Sequence, residues 1–158
     1  MPVLTKQNIY DVCMHILTAA GAPRSHATIV ADHLSEANLA GHDSHGIIRI
    51  IQYVKEIRSK AINPAAEPEI AKSSAATASV DGHQTFGQVV ATFATNLAME
   101  LARKHGISIV TMSNHAHTGR IGTYPELAAR EGMAAMMYTG LWGGEFSRVA
   151  PFGGREAR

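Results

Sequence analysis

Between residues 75 and 112 the hydrophobic period of the chain changes twice, and this alternation restricts the fold more than any other feature. ATASVDG has the alternation of a strand and closes on a turn at Asp81 and Gly82. GQVVATFATNLAMELARKHG then repeats at helical spacing, with Val90, Phe93, Leu97 and Leu101 facing inward and Gly106 at its end. ISIVTM is a short apolar strand rich in β-branched residues. A β–α–β order of this kind predicts an α/β sheet with helices packed against it. A second round follows, with a short helix in TYPELAAREG and a buried strand in MAAMMYTG.

The first 62 residues read differently. Thr5 is placed to cap a helix carrying Ile9, Val12, Ile16 and Leu17 until Gly21 and Pro23 stop it. Ser25 opens a second helix with Ile29, Val30, Leu34, Ala37 and Leu39 on its apolar face, and Gly41 supplies the backbone freedom that ends it. SHGIIRIIQYVKEIRSKAI reads as a third helix from Ser44, with Ile47, Ile51 and Val54 on one face and Lys55, Arg58 and Lys60 near its C-terminus, where the dipole favours cations. NPAAEPEIAKSS, residues 63–74, carries two prolines and little apolar surface, which predicts a linker. The expected organisation is a helical region over 1–62, the linker over 63–74 and an incomplete α/β domain over 75–158.

An apolar fraction of 46% in 158 residues predicts a packed core, and a net charge of +1 without basic runs argues against nucleic acid or a membrane surface as partner. The N-terminus lacks the basic and apolar segments of a secretory signal, so the expected location is the cytoplasm. The lone Cys13 falls on the stripe of Ile9, Ile16 and Leu17 and reads as a small buried hydrophobe.

Two clusters could carry chemistry. In GHDSHGIIRI, residues 41–50, a helix capped by Ser44 would set His45 and Arg49 four apart on one face. Arginine grips a carboxylate through a planar fork, and histidine exchanges protons near neutral pH. The same residues also read as a polar cap and a solvated face. In SNHAHTGRIGTYPE, residues 113–126, His115, His117 and Arg120 follow a strand, where α/β folds place ligands, and Gly119 and Gly122 would let backbone approach a phosphate. A turn with surface histidines fits this spacing equally. His115-x-His117 is a metal-ligand spacing, but no thiol or nearby acid completes a zinc set. His15, His26, His33, His42, His83 and His105 fall on surfaces or turns and receive no role. GGEF, residues 143–146, has no supporting strand-hairpin context.

Taken in order, ANLAGHDSHGIIRIIQYV, SVDGHQTFGQVVA, HAHTGRIGTYPELAAREG and VAPFGGREAR resemble the malate/L-lactate dehydrogenase-like oxidoreductases, which lack a Rossmann domain. The resemblance runs through the whole chain, and SHGxxR together with HTGRxGxY is more specific than either piece. It implies an N-terminal helical region on a mixed-sheet, non-Rossmann nucleotide-binding domain, and hydride transfer between NAD or NADP and a 2-hydroxy acid or 2-oxo acid. By the same resemblance His45 and His117 are acid/base candidates, and Ser44 and Arg49 line the site for a small carboxylate substrate. Thr118, Gly119, Arg120 and Gly122 fall in a loop beside the cofactor, and a homodimer is the common assembly; no metal site is assigned. The sequence departs from some members at Leu141 and Trp142, where those carry a lysine and an aspartate. The family pattern continues past the point where this sequence stops at REAR, which sets the expectation of an N-terminal half. The alternative is a catalytically incomplete fragment acting as a binding or assembly module.

Overall fold

The computed structural model describes residues 4–140. Leu141, Trp142, the GGEF segment and the glycine-rich end of the sequence lie outside them. Three helices come first: α1 (Lys6–Ala19), α2 (Arg24–Leu39) and α3 (Ile50–Arg58). Strands β1 (Glu69–Ser73) and β2 (Thr77–Thr85), helix α4 (Gly87–His105), strand β3 (Ile109–His115) and helix α5 (Thr123–Arg130) follow.

Helix α1 begins at Thr5 through a capping box, with the threonine hydroxyl accepting the Asn8 amide and the Asn8 side chain returning to the Thr5 amide. Its buried stripe is Ile9, Cys13 and Leu17, while Val12, expected inward, is exposed. Burial pushes the Cys13 thiol up to about 11, so it is inert as a nucleophile. Helix α2 starts one residue before the expected Ser25, buries Val30, Leu34 and Ala37, and leaves Leu39 exposed.

The third helix differs most from expectation. Ser44 does not cap it: Asp43–His45 and Ile47–Arg49 form two single 3-10 turns separated by Gly46, and α3 begins only at Ile50. The cause is Asn38. Its Oδ1 accepts the Ile47 amide at 2.8 Å and its Nδ2 donates to Asp43 Oδ1 at 2.6 Å, drawing the turn onto the end of α2. Gly46 lies so close to this amide that a Cβ there would overlap it. The rotation this introduces buries Ile50 and Tyr53 and leaves Ile51 exposed.

The sheet has the order β1-β2-β3, with β1 antiparallel and β3 parallel to β2. Part of the stretch expected as linker is therefore a strand. Strand β2 also continues past the expected turn at Asp81 and Gly82, through a bulge in which it advances from Asp81 to Thr85 while β3 advances only from Ser113 to His115. His83, Gln84 and Asn114 take positive φ there, and Asp81 Oδ1 and Oδ2 accept from the His83 amide and Asn114 Nδ2. Residues 133–140, expected as a buried strand, pair with no strand among the described residues, and Met136 and Tyr138 are exposed.

Helix α4 ends as expected at Gly106, left-handed at φ 82°. Its outer stretch packs Val90, Ala94, Phe93 and Leu97 on Val80, Val110 and Met112 of the sheet. Its first turn joins the helical region, because Phe86 and Val89 share one core with Leu17, Val30, Leu34, Ile50 and Tyr53. That shared core holds the end of β3 against α2 and α3.

Candidate active site

The two sequence clusters meet. The His45 and His117 rings stack with centroids 5.3 Å apart and planes at 27°. His45 comes from the first 3-10 turn, where its Nδ1 lies 2.9 Å from Ser44 Oγ. His117 follows β3, whose backbone is carried over the start of α4: the Ala116 amide donates to the Thr85 carbonyl at 3.0 Å. Gly87 makes the crossing feasible, since an added Cβ would overlap the carbonyl oxygens of Ala116 and His117.

Arg49 donates from Nε to the Ser44 carbonyl at 2.5 Å and from one terminal nitrogen, Nη1, to Gln52 Oε1 at 2.8 Å. Its second terminal nitrogen takes part in neither bond. Its charge is felt at both imidazoles: burial first, then Arg49 and His45, hold His117 down at about 4, and burial, Arg49 and His42 lower His45. At neutral pH the site therefore offers two neutral rings beside a fixed cation, which suits a small anion with a carbonyl or hydroxyl next to its charge.

The other loop residues take structural places. Thr118 and Gly119 are buried, and Gly119 is left-handed at φ 74°. The Thr118 carbonyl accepts the Tyr124 hydroxyl, and the Arg120 amide donates to His33 Nε2 at 2.8 Å. The Arg120 guanidinium pairs with Glu126 at 2.6 Å, and Gly122 precedes α5. His115 Nδ1 stands 2.8 Å from the Ala116 carbonyl, and among the described residues no group of three potential metal ligands is assembled.

Several buried polar residues carried no motif. His33, read as a surface residue, is 4% exposed and stacks on Tyr124. It falls between Val30 and Ala37 on the apolar stripe of α2, which is the signal that could have found it. His26, also read as surface, is buried against the Pro64 carbonyl at 3.0 Å. Tyr53 and Gln88 are fully buried, and the Tyr53 hydroxyl lies 3.1 Å from His117 Nδ1 and 2.6 Å from Gln88 Nε2.

Burial of neutral imidazoles makes stability depend on pH. His33 is held at about 4, chiefly by burial and then by His117, Arg120 and His45, against about 6.5 in an unfolded chain. Between these values the unfolded state binds more protons, so stability is complete above about pH 6.5 and falls as the pH drops toward 4. At pH 4.5 the loss from His33 alone is on the order of 2–3 kcal/mol. Thermal melts from pH 7.5 downward should show a falling Tm, with a flatter slope in His33→Phe; equal slopes would contradict this account.

The chain belongs to the malate/L-lactate dehydrogenase family, whose model it matches over residues 4–158. It is 41% identical over 155 residues to malate dehydrogenase of Pyrococcus abyssi, covering 97% of this chain and 41% of that protein. It is 38% identical over 152 residues to hydroxycarboxylate dehydrogenase B of Escherichia coli O157:H7, covering 96% of this chain and 42% of that one. Sulfolactate dehydrogenase of Methanocaldococcus jannaschii superposes with a TM-score of 0.80 at 37% identity, over 82% of this chain and 38% of the solved one. The chain thus spans about two fifths of the length of these relatives.

Proposed function

We propose that these residues form the proton-exchanging half of a dehydrogenase that interconverts small 2-hydroxy and 2-oxo acids with NAD or NADP. The observation that carries the reading is the stacked His45–His117 pair beside Arg49. Two imidazoles, a hydroxyl and a guanidinium can bind an anion and move a proton, but none of them carries hydride, so the donor set fits a site completed by a hydride carrier. Thr118, Gly119, Arg120 and Gly122 would hold the cofactor, whose nicotinamide ring supplies or accepts the hydride when bound.

The rest of the chemistry belongs to the chain. Arg49 takes the substrate carboxylate, and this fixes C2 and its oxygen in front of the imidazoles. In reduction the pair takes a proton from solvent and passes it to the oxygen, and in oxidation it receives the oxygen's proton and releases it to solvent. Low proton affinity of both rings keeps the pair neutral and able to receive that proton near pH 7. The expected assembly is a homodimer in the cytoplasm; no helix among the described residues is long and apolar enough to cross a membrane.

Arg49→Lys keeps the charge and removes the fork, so KM for 2-oxo acids should rise roughly ten- to a hundredfold with a smaller change in kcat. An unchanged KM would exclude Arg49 as the carboxylate anchor. The alternative of a binding module draws on exposed Ile70, Ile107 and Ile109 at the sheet. Thermal shift separates the two: stabilisation by NADH or NADPH supports the dehydrogenase, and no response to either favours the module.

A further inference from the structure

We propose that Gln88 and Tyr53 form a buried positioning relay that fixes His117 with Nδ1 as acceptor and its proton on Nε2, making His117 a neutral hydrogen-bond donor and leaving proton exchange to His45. The inference rests on the dehydrogenase reading for its catalytic meaning, but the relay itself is a property of the folded chain.

The direction of the relay follows from counting donors and acceptors. Gln88 Nε2 lies 2.6 Å from the Tyr53 hydroxyl, and Gln88 Oε1 is buried without a partner. Reversing the amide would let Oε1 accept from Tyr53 but strand a buried NH2 with two donors. Orphaned buried N–H groups are rarer than under-satisfied carbonyl oxygens, so the amide donates. Tyr53 then receives a proton from Gln88 and has its own to give, and His117 Nδ1 stands 3.1 Å away to accept it. Were His117 to donate instead, the tyrosine oxygen would receive two donors and its own buried proton would lack an acceptor. Burial also pushes the Tyr53 hydroxyl up to about 12, so it remains protonated.

A histidine bound in this way has its proton on Nε2. It can polarise a substrate oxygen by donating that hydrogen bond but cannot accept a proton on the same nitrogen. His45 carries no such constraint. Its Nδ1 contacts the Ser44 hydroxyl, a group that rotates to donate or accept, and the ring is only partly buried. The pair is therefore asymmetric, with a fixed polariser from the β3 end and an adaptable acid/base from the 3-10 turn.

Imidazole nitrogen NMR of the full-length 15N-labelled protein tests this without cofactor or turnover. Wild-type His117 should show an unprotonated Nδ1 and a protonated Nε2 at pH 7.5. Tyr53→Phe keeps the ring in the core and removes only the donor to neutral His117, so its pKa should rise by about 0.7 unit. Gln88→Leu should mix the two His117 tautomers, and Tyr53→Phe decides the matter if Gln88→Leu does not fold. A wild-type His117 carrying its proton on Nδ1, or a Tyr53→Phe titration unchanged from wild type, would overturn the relay. In turnover, Tyr53→Phe should lower kcat with KM retained. An inactive wild type with the expected nitrogen signals would sink the dehydrogenase reading and leave the relay standing.

Discussion

Alanine in place of Gly87 is expected to cost about 3 kcal/mol of stability, at the upper end for overpacking, because the obstacle is main chain. A Cβ at this first position of α4 would enter the space of the Ala116 and His117 carbonyl oxygens, and neither can move as a flexible side chain could. The Ala116 amide is tied to the Thr85 carbonyl at 3.0 Å and His117 is pinned by Tyr53 at 3.1 Å, so relief requires β3 and α4 to separate. Urea unfolding should show the loss together with a displaced His117 resonance. Gly140, with nothing within 4 Å of an added Cβ, provides the control and should accept alanine within about 0.5 kcal/mol. Equal effects at the two positions would mean that the crossing of β3 over α4 is looser than described.

The second large effect concerns catalysis. His45→Ala should lower kcat by about 10²-fold or more, because in the proposed division of roles His117 is a fixed donor and only His45 exchanges the proton. His117→Ala should lose a comparable amount through a different route, the loss of a preoriented donor where charge develops on that oxygen. The two variants should separate in their pH profiles: the limb assigned to proton exchange should disappear with His45 and persist, at a lower rate, without His117. Full turnover in both single variants would remove the pair from the mechanism.

The parts of the fold that could be read in the sequence were those set by local period and by terminators. Helix α4 follows from apolar residues at helical spacing and a glycine at φ 82°, and the β–α–β order follows from the strands on either side of it. Strand β1 left no such trace, because all five of its residues are exposed and it exists through backbone pairing with β2. MAAMMYTG has the composition of a strand, yet a strand needs a ladder, and the described residues provide none for it.

The site was legible in its chemistry but not in its geometry. SHGIIR and HTGR marked His45, Arg49 and His117, and the fold brings the two histidines into contact. A continuous helix from Ser44 was the wrong carrier, since a tertiary bond from Asn38 to the Ile47 amide outweighs helical periodicity there. Tyr53 and Gln88 stand within helical segments rich in apolar residues, and no motif marks them. Only the packing of α3 on the start of α4 shows that their polar ends meet at His117.

In the proposed reaction, a nicotinamide-linked 2-oxo-acid reduction, His45 exchanges the proton while His117 donates a fixed hydrogen bond and Arg49 anchors the carboxylate. The most direct measurement is the oxidation of NADH and NADPH by the full-length protein with pyruvate or oxaloacetate, beside the His45→Ala and His117→Ala double variant. The account predicts oxidation that depends on the 2-oxo acid and falls by about 10²-fold or more in the double variant. Absence of any acid-dependent oxidation in the wild type, or an equal rate in the variant, would contradict it.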